Sequence, residues 1–449
     1  MNTLRDKRGT RWAVLMLISF TMMAAYFFYD AMAPLKEMLE KEQGWTSTDY
    51  GLFTSSYSWF NVFLLMLFFG GILLDRKGIR FTGRLATILM VAGALIKYAA
   101  LSGLFPTEGS LFGIKLQVLY ASLGFAVYGV GAEVMGVVVS RAIIKWFKGY
   151  ELALAMGLQL SIARLGTSIA FLTANPLASY FGNVPNLVMF GVILLIIGAL
   201  AFLIYTVKYD KKLDSQTGII DYSSPEDQFK LADVKAIVTN YGFWLVAILC
   251  ILFYSCVFPF LKYAPDLMTN KFGVDSEWSG LIPSILPVGT IILTPLFGTI
   301  YDKKGKGATI MIIGSLMMVG IHALFSVPFL NNWIFAAFLT VLLGISFSLV
   351  PSAMWPSINK IIPEKQLGTA FALIFWVQNI GLMSVPLLIG YVLDRWCKTT
   401  GADGSISYDY TLPMLIFTSF AVLSVIFAFL LKREDRRKGY GLEKANEEK

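Results

Sequence analysis

Uncharged apolar runs alternate with short clusters of charge along almost the whole 449-residue chain. A helix needs about 20 mostly apolar residues to cross the hydrocarbon core of a bilayer. Runs of that kind occupy residues 12–29, 50–74, 241–261, 278–301, 366–393 and 410–431. The stretch 307–359 is too long for one crossing and divides at Pro328, Asn331 and Asn332. Likewise 165–207 divides around Asn175, Pro176, Gly182 and Pro185. Runs 85–104, 111–140 and 152–174 each carry an internal charge. The pattern predicts an all-α membrane protein with twelve transmembrane helices. The first run lacks a small-residue cleavage site and further spans follow it, so it is expected to be a span rather than a signal peptide.

Composition agrees. Of the residues 56% are apolar and 15% charged, against roughly a quarter charged in soluble domains. Three cysteines cannot build a disulfide framework, and one histidine leaves little for histidine chemistry. The net charge of +8 matters through its placement. With both termini set in the cytoplasm, 28 of the 37 lysines and arginines fall in inner segments, 6 in outer segments and 3 within spans. The positive-inside rule fixes that orientation. The excess therefore faces lipid headgroups, and a nucleic-acid partner is not expected.

Between the sixth and seventh spans lies 208–240, the longest internal polar stretch. Ser224-Pro225-Glu226-Asp227 within it has the pattern of a helix start, with an N-cap hydroxyl, an N1 proline and early acids. A short amphipathic helix on the membrane surface is expected there. The chain thus divides into a six-helix bundle at 1–207, the linker 208–240, a second bundle at 241–431 and a cytoplasmic tail at 432–449. A repeat supports this division. Gly71-Ile72-Leu73-Leu74-Asp75-Arg76-Lys77-Gly78 follows the second span, with Arg80 close behind, and Gly298-Thr299-Ile300-Tyr301-Asp302-Lys303-Lys304-Gly305 follows the eighth. Two related halves of this kind are a transporter architecture with substrate held near the midplane.

Twelve spans, two copies of this loop and a central linker resemble the major facilitator superfamily. The resemblance implies alternating access, with Asp75 gating one end and Asp302 as the weaker copy; Arg76, Gly78 and Arg80 complete the first loop. A narrower likeness runs through Tyr57-Ser58-Trp59-Phe60-Asn61-Val62, Val257-Phe258-Pro259-Phe260, Trp355-Pro356 and Gln378-Asn379-Ile380-Gly381-Leu382. These words resemble the branch containing the animal lysosomal dipeptide carrier. No dileucine sorting signal or glycosylated-looking outer loop is evident. A prokaryotic relative in the plasma (inner) membrane is therefore expected.

Ionisable residues inside a span cost several kcal/mol unless they pair or face water, which makes each a site candidate. Glu133 lies eight residues before Arg141, and Arg164 thirteen after Glu151. At 1.5 Å per residue they sit about 12 and 20 Å from the helix ends. A zwitterionic peptide needs an anion for its ammonium and a cation for its carboxylate, and arginine binds carboxylates bidentately. Glu133 with Arg164 is a minimal recognition pair, the same assignment the resemblance implies. The alternatives are a bridge that only fastens two helices, or a proton-carrying role for Glu133.

Tyr57, Trp355, Trp376, Gln378 and Asn379 are candidate lining residues, the amides for peptide backbone and the aromatics for varied side chains. Asp30 and Lys262 stand at equivalent outer places in the two halves and are a candidate gate pair. Lys97 and Lys115 are expected to snorkel to water, and His322 to be packed. No P-loop, metal-ligand cluster or nucleophile elbow is present, so neither cofactor nor catalytic role is expected. The expected function is facilitated transport of dipeptides by a monomer. The alternatives are a carboxylate exchanger, in which Glu133 only orients Arg164, and a proton-coupled symporter.

Overall fold

A computed structural model describes residues 3–217, 230–402 and 404–445. Among these, eleven helices are long and apolar enough to cross a membrane. The N-terminal half holds α1 (Arg8–Asp30), α2 (Lys36–Gln43), α3 (Ser47–Ser56), α4 (Trp59–Phe63) and α5 (Met66–Leu101). After the hairpin β1 (Ser110–Leu111) and β2 (Ile114–Lys115) come α6 (Leu116–Phe147), α7 (Leu152–Phe181) and α8 (Val184–Ile204). Two short helices, α9 (Lys211–Thr217) and α10 (Leu231–Val238), lie in the linker. The second half holds α11 (Tyr241–Phe272), α12 (Ile285–Lys304), α13 (Gly307–Ser326), α14 (Trp333–Ile361) and α15 (Leu367–Val392). It ends with the hairpin β3 (Lys398–Thr400) and β4 (Ile406–Tyr408) and with α16 (Thr411–Lys438). Helix α5 holds the end of the second crossing and the whole of the third, because it passes through Gly78 at φ 75° and ψ 176°, a backbone state that only glycine takes without strain. That restores the expected twelve. The Ser224–Asp227 helix start lies outside the described residues.

The second span differs from the unbroken run expected. It is cut after Ser56 and again at Leu64–Leu65, where Leu65 adopts φ 53°. The Thr54 hydroxyl bonds back to the Tyr50 and Gly51 carbonyls, and the Ser55 hydroxyl to that of Leu52. Such bonds compete with the helix ladder and promote bending. Conversely, Pro176 does not end the fifth span. Helix α7 continues through it to Phe181 and stops at Gly182, and the Asn183 side chain then caps α8.

The chain divides into two compact units: Met1–Met32 with Ser56–Phe229, and Ala33–Ser55 with Lys230–Lys449. In the N-terminal unit α5 packs on α6 and α8, and α1 on α7 and α8. In the C-terminal unit α11 packs on α14, α15 and α16, and α13 on α14 and α16. Ile88, Leu200 and Ile292 stay exposed on the helix surfaces, as expected where lipid is the solvent.

Residues 441–445 fold back onto the C-terminal unit. The amides of Lys306, in the loop after α12, and of Gly307, which opens α13, donate to the Glu443 and Leu442 carbonyls at 3.0 and 2.9 Å. Lys360 donates to the Gly441 and Lys444 carbonyls, and the Leu442 side chain is fully buried.

Candidate functional site

Helix α6 places Glu133 near its middle, fourteen residues before its end at Phe147. One turn earlier stands Gly129, where an added Cβ would lie 2.1 Å from the Tyr57 carbonyl oxygen. The missing side chain lets the break in the second span lie directly against α6. There the Tyr57 hydroxyl donates to Glu133 Oε1 at 2.9 Å. Aromatic rings enclose Tyr57, with Tyr29 at 4.6 Å, Phe125 at 5.6 Å and Tyr128 at 6.2 Å between centroids. Tyr128 is itself fixed by its hydroxyl on the Ala25 carbonyl.

Arg164 comes from α7, its guanidinium 5.8 Å from the Tyr26 ring. Three residues on, Thr167 donates to Asp30 Oδ2 at 2.7 Å. The charges of Arg164, Glu133 and Asp30 all act on Tyr26. The hydrogen bond that fixes the Glu133 carboxylate runs to the second span, at Tyr57, rather than to α7. Tyr57, Glu133 and Arg164 thus share one unit, with Tyr26, Tyr29 and Phe125 as neighbours that apolar patterning could not separate from ordinary core.

The other candidates belong to the C-terminal unit. Trp355 donates to the Tyr254 hydroxyl at 2.9 Å and stacks on Phe375 at 5.0 Å. Gln378 accepts from the Cys250 thiol at 3.7 Å. Asn379 donates to the Phe375 carbonyl, while its buried Oδ1 has no hydrogen-bond partner. Trp376 is half-buried on the same helix. Asp30 and Lys262 fall in different units; the Lys262 carbonyl accepts from Tyr50 at 2.8 Å. His322 is packed between Phe260 and Phe417. Lys97 does not snorkel as expected: it is 1% exposed, with its ammonium 4.0 Å from the Phe28 ring. Facing rings attract a cation once it is desolvated, which offsets part of the burial cost.

At the end of the N-terminal unit where α1 begins, Asp75 Oδ1 meets Arg141 Nη2 at 2.7 Å. Arg80 reaches Asp214 at 3.0 Å and Asp210 at 3.6 Å, and Lys145 bonds both of these aspartates. The first loop is thereby tied to the end of α6, to the turns that follow α8 and to α9, with Arg76 exposed beside it. Asp302 sits half-buried at the end of α12, in the loop that residues 441–445 cover. Arg141 was visible in the sequence only as one of many basic boundary residues.

A twelve-span helical fold in two units, with opposite charges halfway along two helices, defines a membrane transporter. Residues 15–386 match the Major Facilitator Superfamily, and the chain belongs to that family. It is a multi-pass membrane transporter of small molecules, not an enzyme. The chain is 30% identical over 439 residues to the lysosomal dipeptide transporter MFSD1 of Homo sapiens, covering 94% of this chain and 86% of that one. With its Bos taurus counterpart the identity is 31% over 399 residues, covering 86% and 80%. Among solved structures, a bacterial homologue of the human lysosomal transporter Spinster, inward-facing and unoccupied, superposes with TM-score 0.68 at 14% identity, covering 96% and 98%. The inward-open xylose transporter XylE from E. coli gives 0.69 at 15% identity, covering 93% and 96%. The likeness to these two solved structures carries the fold alone.

Proposed function

We propose that this transporter carries dipeptides by alternating access, as a facilitator, with Glu133 taking the peptide ammonium and Arg164 its carboxylate. The observation that carries this reading is the pair itself. Two opposite charges stand halfway along neighbouring helices of one unit, both acting on Tyr26, and it is Tyr57 that holds Glu133 in place. A planar guanidinium suits a terminal carboxylate. Similarity to the MFSD1 transporters supports the same cargo. Trp355, Trp376, Gln378 and Asn379 supply tolerant aromatic and amide surface. Asp75 with Arg141, and the loop of Arg76, Gly78 and Arg80, control one end of the path; Asp302, Asp30 and Lys262 serve in the remaining gates. The chain works as a monomer in the plasma membrane with both termini cytoplasmic.

The test is thermal stability of the purified protein against dipeptides, free amino acids and dicarboxylates, paired with liposome uptake. Ligand at a hundred times its dissociation constant stabilises the native state by about 2.7 kcal/mol. Dipeptides shift the parent; Glu133→Gln and Arg164→Lys abolish the shift while the proteins remain folded. A shift with carboxylates alone, retained in Glu133→Gln, replaces the dipeptide reading with organic-anion exchange.

A further inference from the structure

Residues 33–55 fold with the C-terminal unit, although both flanks of the segment belong to the N-terminal one. What holds the segment there is ionic and buried. Lys36 Nζ, on a residue 1% exposed, lies 2.7 Å from Glu40 Oε1 and 3.0 Å from Asp266 Oδ2. Glu40 also accepts from the Tyr408 hydroxyl at 3.0 Å and the Ser47 hydroxyl at 3.1 Å. Tyr410 donates to Asp266, and the Lys36 ammonium lies 4.2 Å from the Tyr408 ring. Helix α3 continues the attachment. Both carboxylate oxygens of Asp394 accept from its first amides, those of Ser47 and Thr48, where helix dipole and orphan N–H groups favour an anion.

Two carboxylates here share one ammonium, so the fully ionised cluster carries a surplus negative charge away from water. A desolvated carboxylate beside a second one holds a proton more readily than a free one, and Glu40 is so placed. Burial pushes the Glu40 carboxyl up, and Asp266 adds to the rise while Lys36 opposes it. The surrounding titratable groups include Glu37 and Lys41 on α2, Tyr50 on α3, Lys262 and Tyr263 on α11, Asp394 beyond α15, and Tyr408, Asp409 and Tyr410 ahead of α16.

We propose that the Lys36–Glu40–Asp266 cluster is a proton-operated latch, which takes up a proton when residues 33–55 dock on the C-terminal unit and gives it up when they leave. Undocked, Glu40 on a short exposed helix returns to an ordinary carboxylate. A group bound more tightly to its proton in one state stabilises that state below its ordinary value, and the benefit is lost as pH rises through the raised one. Acid therefore holds the segment down, and alkali loosens it. The segment that the latch holds ends one residue before Tyr57, whose hydroxyl holds Glu133. The latch does not depend on what the cargo is.

The test follows docking by labelling. Thr54 is buried, and its hydroxyl bonds only carbonyls of its own helix. Thr54→Cys in a background without Cys250, Cys256 and Cys397 is labelled with a soluble maleimide from pH 5 to 8, with and without Glu40→Gln. Dividing the two rates cancels the intrinsic pH dependence of the thiol. The expected ratio of the parent rate to the Glu40→Gln rate is near one in acid and rises severalfold toward pH 8. A flat ratio overturns the proposal. Lys36→Met, which strands two carboxylates, is expected to speed labelling at every pH; unchanged labelling overturns the anchoring role. Should Lys36→Met fail to fold, the Glu40→Gln ratio alone decides.

Discussion

Gly129→Ala adds one methyl group to α6 and changes neither charge of the candidate site. The new carbon would lie 2.1 Å from the Tyr57 carbonyl oxygen and 3.1 Å from its ring. Ordinary contact begins near 3.4 Å, so backbone must part by about 1.3 Å, and no side-chain rotation can absorb it. That displacement carries the Tyr57–Glu133 hydrogen bond from 2.9 Å to about 4 Å, beyond any useful geometry. Hydrogen bonds to charged groups contribute about 1.5–3 kcal/mol, so affinity for a ligand ammonium should fall about 10- to 100-fold. Gly136→Ala on the same helix is the control, because its added carbon meets nothing nearer than Met22 at 4.0 Å. Liposome uptake of a dipeptide, with melting midpoints, measures both. An unchanged KM and midpoint in Gly129→Ala, equal to the control, would refute the claim that close approach of Tyr57 sets Glu133.

Two further outcomes follow, one from each unit. Asp75→Asn and Arg141→Gln should each lower the melting midpoint, and a double-mutant cycle should give a coupling of about 1 kcal/mol, the pair being partly shielded; zero coupling removes Asp75 as a tie between α5 and α6. Truncation after Lys438 should destabilise the C-terminal unit and bring protease cleavage into the loop at Lys306, where amides lose the Glu443 and Leu442 carbonyls. Leu442→Asp, with a charge where a fully buried side chain sat, should do the same, and an uncut loop in both would deny the tail that role.

Hydropathy disclosed the spans because a bilayer leaves helices few alternatives. Glu133 and Arg164 were conspicuous for the same reason: in an apolar run a lone charge has no cheap explanation. The breaks around Tyr57 and Leu65 left no such mark. Thr54 and Ser55 are neutral to a hydropathy count, and only their bonds to backbone carbonyls reveal the bend. Pro176 misled in the opposite sense, since α7 keeps its path through the proline. Lys36 and Glu40 sit in a polar stretch that reads as solvated, and Asp266, which pairs with Lys36, is 230 positions further along. Lys97 was misjudged for want of knowing that Phe28 and Phe125 close around it. Local pattern fixes which segments cross, whereas pairings between distant positions decide which charges are buried together.

The attachment of α3 also bears on how the chain is made. Ser47 and its capping partner Asp394 are 347 positions apart. At 5–20 residues per second, a nascent chain with its first spans already in the membrane waits roughly 20–70 s before that partner is synthesised. Through this interval the amides that open α3, and the ammonium of Lys36, must be satisfied by water, lipid headgroups or the insertion machinery. The second span is thus among the first to enter the bilayer and among the last to settle, and its assembly intermediates expose a half-finished helix to whatever chaperones attend it.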